Sequence, residues 1–211
     1  MHFNILQFLT FFPIVLFSIT IHEAAHALAA YKMGDPTANY MGRLTLNPLK
    51  HIDPIGTILV PILLHMSGLP PFGWAKPVPV DFRRLRDQKL GYIAVGISGP
   101  LANFAFAIIA GLFIRILPVT VLSEFLTILF VLNMILGMFN MIPFPPLDGS
   151  RVLYAFLSYK NRILFHQFER YSFIVLIVLI LTNSLDFIFF NIFLPLLKLT
   201  YYLLTGYILA F

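Results

Sequence analysis

The stretch Ile14-Val15-Leu16-Phe17-Ser18-Ile19-Thr20-Ile21-His22-Glu23-Ala24-Ala25-His26-Ala27-Leu28-Ala29-Ala30-Tyr31 carries two histidines and a glutamate inside an apolar run long enough to span a membrane. Residues four apart share one helical face, so His22 and His26 can grip one Zn²⁺ with Glu23 beside them as general base. Ionisable groups inside a span are costly, and their presence marks a functional site. Composition agrees with a membrane setting. Of 211 residues, 59% are hydrophobic and only 11% charged, with 23 Phe and a mean hydropathy of +0.89. A polytopic membrane protein is the class that buries so much apolar surface in so short a chain. With no cysteine, any zinc site must use His and carboxylate ligands. The net charge of +5 is dispersed through loops, where it sets topology, and no nucleic-acid partner is expected. Met1-His2-Phe3-Asn4 lacks a basic leader, so no cleaved signal peptide is expected.

Uncharged stretches predict spans at Phe3–Tyr31, Leu90–Ile114, Phe125–Leu147, Tyr171–Leu185 and Phe187–Phe211, the last containing Lys198. A shorter apolar run, Ile55–Met66, rises only about 18 Å as a helix against a core of roughly 30 Å, and reads as re-entrant. Charge supports that reading. If Ile55–Met66 does not cross, twelve Lys and Arg share one face and only Arg115 lies on the other; if it crosses, the tally is five against eight. The positive-inside rule prefers the first arrangement, with the N-terminus outside.

A second argument concerns the third ligand. In Asn140-Met141-Ile142-Pro143-Phe144-Pro145-Pro146-Leu147-Asp148-Gly149, three prolines in four positions cannot continue a helix. Irregular backbone at membrane depth is tolerated only where protein or a watery cavity surrounds it. Asp148 at the end of this break has the chemistry of a zinc ligand, and Gly149 permits the turn that aims it. For it to meet His22 and His26, the first and third spans must run in the same direction, which one re-entrant element plus one span achieves. The bland alternatives are histidines hydrogen-bonding across a bundle and Asp148 capping a following helix.

These residues resemble the site-2 protease family of intramembrane zinc metalloproteases. The resemblance covers roughly residues 15–155. Besides the zinc motifs, Gly99-Pro100-Leu101-Ala102-Asn103 is similar to that family's Gly-Pro-x-x-Asn element. Arg43-Leu44-Thr45-Leu46-Asn47-Pro48 through Asp53-Pro54-Ile55-Gly56 resembles the connection of compact prokaryotic members, without a PDZ or CBS domain. The family likeness implies one Zn²⁺ per chain held by His22, His26 and Asp148, leaving a fourth position open as catalysis requires. It implies that Glu23 takes a water's proton and later returns it to the leaving nitrogen. It further implies that Asn103 and Asn140 either donate hydrogens to an oxyanion or hold substrate backbone; pinning helices together is the equal alternative.

The expected fold is therefore an all-α polytopic membrane protein of about five to six spans. It has a three-helix catalytic core and a re-entrant, β-hairpin-like connection. Residues 1–158 form the metalloprotease core, and 159–211 supply accessory spans. Thr37–Asn47 and Trp74–Phe82 are candidate strand edges for an extended substrate, against the plain reading of interfacial loops. His2, His51, His65 and His166 lack ligand spacing and read as loop or interfacial residues, and Arg83-Arg84-Leu85-Arg86 as an anchor on anionic lipid. The expected partners are the lipid bilayer and membrane proteins carrying a transmembrane helix, cut in a bacterial or archaeal cell membrane near the cytoplasmic side. The competing functions are a metal transporter and an inactive helix-binding relative. Transport has no need of a base at Glu23, and an inactive relative would have lost it or a ligand.

Overall fold

A computed structural model describes residues 5–67 and 73–209, with side chains from residue 11 onward apart from His65. His2, the start of the expected first span and the last two residues of the expected fifth lie outside that range. In chain order come α1 (Ile5–Lys32), α2 (Thr37–Tyr40), a 3₁₀ turn (Pro48–Lys50), a π-turn (Pro54–Leu59) running into α3 (Val60–Met66), and a second 3₁₀ turn (Phe82–Arg84). The remainder is α4 (Gln88–Ile116), α5 (Val121–Asn140), α6 (Gly149–Phe156), α7 (Tyr159–Leu181), α8 (Asp186–Ile188), a π-turn (Phe189–Phe193) and α9 (Leu194–Thr205). Among the described residues, five segments are long and apolar enough to cross a membrane: Phe11–Lys32, Gln88–Ile116, Val121–Asn140, Tyr159–Leu181 and Asp186–Thr205. The stretch Pro54–Met66 stays too short for that, as expected.

Local chemistry sets the ends. Asp87 accepts the Leu90 N–H at 2.9 Å and starts α4. Thr120 N–H donates to Ser123 Oγ at 2.9 Å at the head of α5. Gly206, at φ 80°, closes α9 in the left-handed conformation.

Three expectations are corrected. The third span ends at Asn140 rather than Leu147, because the prolines at 143, 145 and 146 leave the chain in turns up to Asp148. The fourth helix begins at Tyr159 rather than Tyr171 and takes in charges that read as loop. Those charges find partners: Glu169 meets Arg151 Nη2 at 2.8 Å, and Arg162 donates to Leu157 O at 3.1 Å. The connection between α1 and α4 contains no strand among the described residues. Thr37, placed in a strand edge by its β-propensity, instead opens α2. The buried Asp35 carboxylate takes the Thr37 N–H at 3.0 Å and the Thr37 hydroxyl at 2.5 Å, which folds the chain into a helical turn.

The core lies where α1, α4 and α5 meet, with the α8–α9 segment against them. It gathers Ile14, Ala107, Ala110, Ile114, Leu129, Phe130, Met134 and Met138, and then Phe193, Leu197 and Tyr201. Small residues let these helices approach closely, as membrane bundles require. A Cβ on Gly137 would lie 2.5 Å from the Phe104 ring, and one on Gly111 3.1 Å from Leu204. Large apolar side chains such as Leu101, Ile109, Phe113, Ile174 and Leu199 stay exposed on the outer faces, where lipid rather than water is the natural solvent.

Candidate metal centre

His22 and His26 are in the second half of α1, and Asp148 stands immediately before α6. Their donor atoms meet. His22 Nε2 is 3.0 Å from His26 Nε2 and 2.9 Å from Asp148 Oδ2, and His26 Nε2 is 3.1 Å from the same oxygen. The C-terminal ends of α1 and α5 therefore arrive at one place, as the parallel arrangement required. The three are the group among the described residues able to hold a metal ion. A tetrahedral ion with bonds of about 2.0–2.1 Å sets its ligands roughly 3.3 Å apart, so this near-equilateral triangle fits zinc within a few tenths of an ångström. Two nitrogens and a carboxylate oxygen also suit it chemically.

Room for the imidazoles comes from α4. A Cβ on Gly99 would lie 2.4 Å from His26 Nε2 and 2.6 Å from His22 Nε2, so only glycine leaves that space open. A Cβ on Gly149 would meet Met141 O at 2.3 Å, which explains how the turn can close behind Asp148. Both rings are held from behind. His26 Nδ1 donates to Val95 O at 2.8 Å, with Ser98 Oγ at 3.2 Å. His22 Nδ1 donates to Asn103 Oδ1 at 2.6 Å.

Glu23 is half-buried, and its Oε2 accepts the Val78 N–H at 2.7 Å. Val78 belongs to a strap, residues 74–81, that is extended without a partner strand. Alternate amides are donated inward: Trp74 to Gly56 O, Lys76 to His51 O and Val78 to Glu23. That two-residue period is the mark of extended chain. Arg43, itself buried, clamps the strap through Lys76 O at 2.6 Å, and Asp81 N–H donates to Asp35 Oδ2 at 2.7 Å. Arg83 beside Asp81 holds that carboxyl below the usual carboxylate range.

The two asparagines have different surroundings. Asn103 is fully buried, and both hydrogens of its amide are spent within the bundle, on Ser18 O (3.2 Å) and Asn133 Oδ1 (2.8 Å). In this state it has no hydrogen for an oxyanion. Asn140 gives one amide hydrogen to Leu136 O at 3.0 Å. Of the other histidines, His51 lies in a loop, as expected, and is completely buried there with Nε2 donating to Thr45 O. His166 sits on α7 between the Tyr154 hydroxyl and Glu169.

The chain is similar to known metalloproteases. It is 42% identical over 179 residues to the "Putative zinc metalloprotease YwhC" of Bacillus subtilis, covering 80% of this chain and 78% of that protein. The chain belongs to peptidase family M50. The model of that family matches residues 115–183, which include Asp148. Another relative, the "Putative zinc metalloprotease Rip2" of Mycolicibacterium smegmatis, is 27% identical over 181 residues, 84% of this chain and 68% of its own. A zinc metalloprotease of Methanocaldococcus jannaschii is 27% identical over 150 residues, 71% of this chain and 34% of its own. No solved structure gives a significant match. This M50 peptidase is thus a zinc metalloprotease and an integral membrane protein, built on the five apolar helices described above.

Sequence reasoning missed Val78, Ser18 and Asn133. Val78 acts through its backbone, which no side-chain pattern announces. Ser18 and Asn133 were legible in principle: Ser18 is one helical turn before His22 on the same face, and Asn133 is a polar residue in the middle of an apolar span.

Proposed function

We propose that this M50 peptidase hydrolyses peptide bonds in or near the membrane-spanning helices of other membrane proteins, toward the cytoplasmic face of a bacterial or archaeal cell membrane. The observation that carries this reading is the location of Glu23 and both imidazoles within an apolar helix of spanning length. A soluble substrate has no need of a site at that depth. Basic residues support the orientation. Lys32, Arg43, Lys50, Lys76, Arg83, Arg84, Arg86 and Lys89 cluster on the α1–α4 connection and its ends, while Arg115 stands alone at the other end of α4.

In this reading His22, His26 and Asp148 hold the zinc. When bound, the ion supplies Lewis-acid polarisation of the scissile carbonyl and acidifies a water. Glu23 takes the proton of the attacking water and passes it to the leaving nitrogen. The Val78 N–H takes one lone pair of Oε2, and the remaining acceptor sites of the carboxylate serve that exchange. Asn140 supplies an amide hydrogen to substrate backbone or to the developing oxyanion. On the alternate edge of the strap, Pro77 and Pro79 carry no N–H donor, so around Val78 that edge offers only acceptors. An extended substrate segment pairing there must therefore bring the N–H groups itself.

The deciding experiment is Glu23→Gln, assayed in detergent on a model transmembrane substrate. Zinc content is expected to stay at one per chain while cleavage disappears. Undiminished cleavage would remove Glu23 as the base and the proposed chemistry with it.

A further inference from the structure

Behind His22 lies a buried chain of polar groups reaching across three helices: Asn103 on α4, Asn133 on α5 and Ser18 on α1, each fully buried. The direction of every hydrogen bond in it follows from groups that can only accept. Leu129 O is one, so the nitrogen of the Asn133 amide must face it, at 2.8 Å. Ser18 Oγ spends its hydrogen on Ile14 O at 2.8 Å, and so accepts the second Asn133 hydrogen at 2.9 Å. Asn133 Oδ1 is thereby turned to Asn103 and accepts from Asn103 Nδ2 at 2.8 Å. Ser18 O, again acceptor only, takes the other Asn103 hydrogen. Asn103 Oδ1 is left facing His22 Nδ1 at 2.6 Å, so Nδ1 must carry the hydrogen. An imidazole protonated at Nδ1 offers its lone pair at Nε2, the atom in the ligand triangle.

We infer that Asn133 is a positioning residue for the metal ligand His22, acting through Asn103 to fix the tautomer and ring plane of that imidazole. His26 has no such relay, because Val95 O meets its Nδ1 directly. One ligand is set by backbone, the other by a side-chain chain anchored on backbone at its far end. Reversing the Asn133 amide would press its oxygen against Leu129 O and leave a buried hydrogen of Asn103 without an acceptor. Outer partners of this sort tune metal affinity by factors of about 10 to 100.

The inference rests on His22 being a zinc ligand, and the test separates the two. Zinc affinity of the full chain in detergent is measured by chelator competition for the wild type, His22→Ala, Asn103→Leu, Asn133→Leu, the Asn103/Asn133 double Leu variant and Asn133→Asp. His22→Ala alone judges the ligand: wild-type affinity there would overturn the ligand set. Given its loss, Asn103→Leu and Asn133→Leu should each weaken zinc by about 10- to 100-fold. The double variant should bind no worse than Asn103→Leu, because Asn133 acts only through Asn103. Full additivity, or wild-type affinity in Asn133→Leu, overturns the relay. Asn133→Asp keeps an acceptor for Asn103 and should bind zinc more tightly than Asn133→Leu. A role in packing alone predicts the opposite order, since it would rank the buried acid last.

Should the leucine variants fail to fold, the tautomer itself is read by ¹⁵N imidazole shifts in metal-free Asp148→Ala protein at alkaline pH. His22 is expected as the Nδ1–H form. The Nε2–H form, which free imidazole side chains favour in water, would overturn the relay.

Discussion

Val78 and Glu23, 55 positions apart in sequence, are joined by a hydrogen bond of 2.7 Å from the backbone N–H of one to the carboxylate of the other. The Glu23 carboxylate, the proposed base, is thus aimed by a loop, and the loop is in turn fastened by Arg43 and Asp35. Val78→Pro removes that single hydrogen. The prediction is a fall in kcat of about tenfold or more, since general-base catalysis contributes 10²–10⁴ and depends on placement, with zinc content unchanged. Single-turnover kinetics alongside metal analysis would check it, and an unaltered kcat would show that Glu23 needs no such support.

Gly99 tests the space around the imidazoles. A methyl group there would lie 2.4 Å from His26 Nε2, closer than non-bonded atoms come. Gly99→Ala is predicted to lose zinc while keeping its helix content, because alanine is itself a good helix former. Zinc analysis and far-ultraviolet circular dichroism report the two halves separately. Retention of one zinc per chain would refute the close approach.

Asp148 is the ligand farthest in sequence from the other two. Asp148→Ala leaves two nitrogens, too few for a stable zinc site. The expected result is metal loss at micromolar zinc and no cleavage of a transmembrane substrate. Unchanged stoichiometry would strike Asp148 from the ligand set.

Asp35 is wholly buried, yet it accepts from Thr37 N, the Thr37 hydroxyl and Asp81 N. Asp35→Ala strands those donors, at about 1–3 kcal/mol for each one left buried and unsatisfied. The prediction is a lowered thermal midpoint together with faster tryptic cutting at Arg83 and Arg84, just beyond the freed strap. A wild-type melting curve would contradict it.

What the sequence disclosed and what it hid have a physical pattern. The meeting of His22, His26 and Asp148 was legible because helical periodicity and proline stereochemistry are local rules: His22 and His26 share a face whatever surrounds them, and three prolines end a helix anywhere. The parallel course of α1 and α5 followed from the need to bring Asp148 to them. The start of α7 was misjudged because Glu169, Arg162 and Arg170 look like loop residues until Arg151 and Leu157 O are seen beside two of them. Thr37 is a candidate for either strand edge or loop by its sequence, and the helical turn it opens depends on Asp35, whose effect comes with burial. The strap's hold on Glu23 was invisible, since it is made by a main-chain hydrogen brought over a long separation.

Asp148 meets His26 across 122 positions of chain, and His22 from farther still, so the site has a built-in order of assembly. A growing polypeptide that has made α1 already carries both imidazoles and the base, but it has no third donor until α5 and the proline turn have followed. With the ligand set proposed above, the unfinished chain is one donor short of a metal site through the making of its first three spans. The triangle closes with a single later residue.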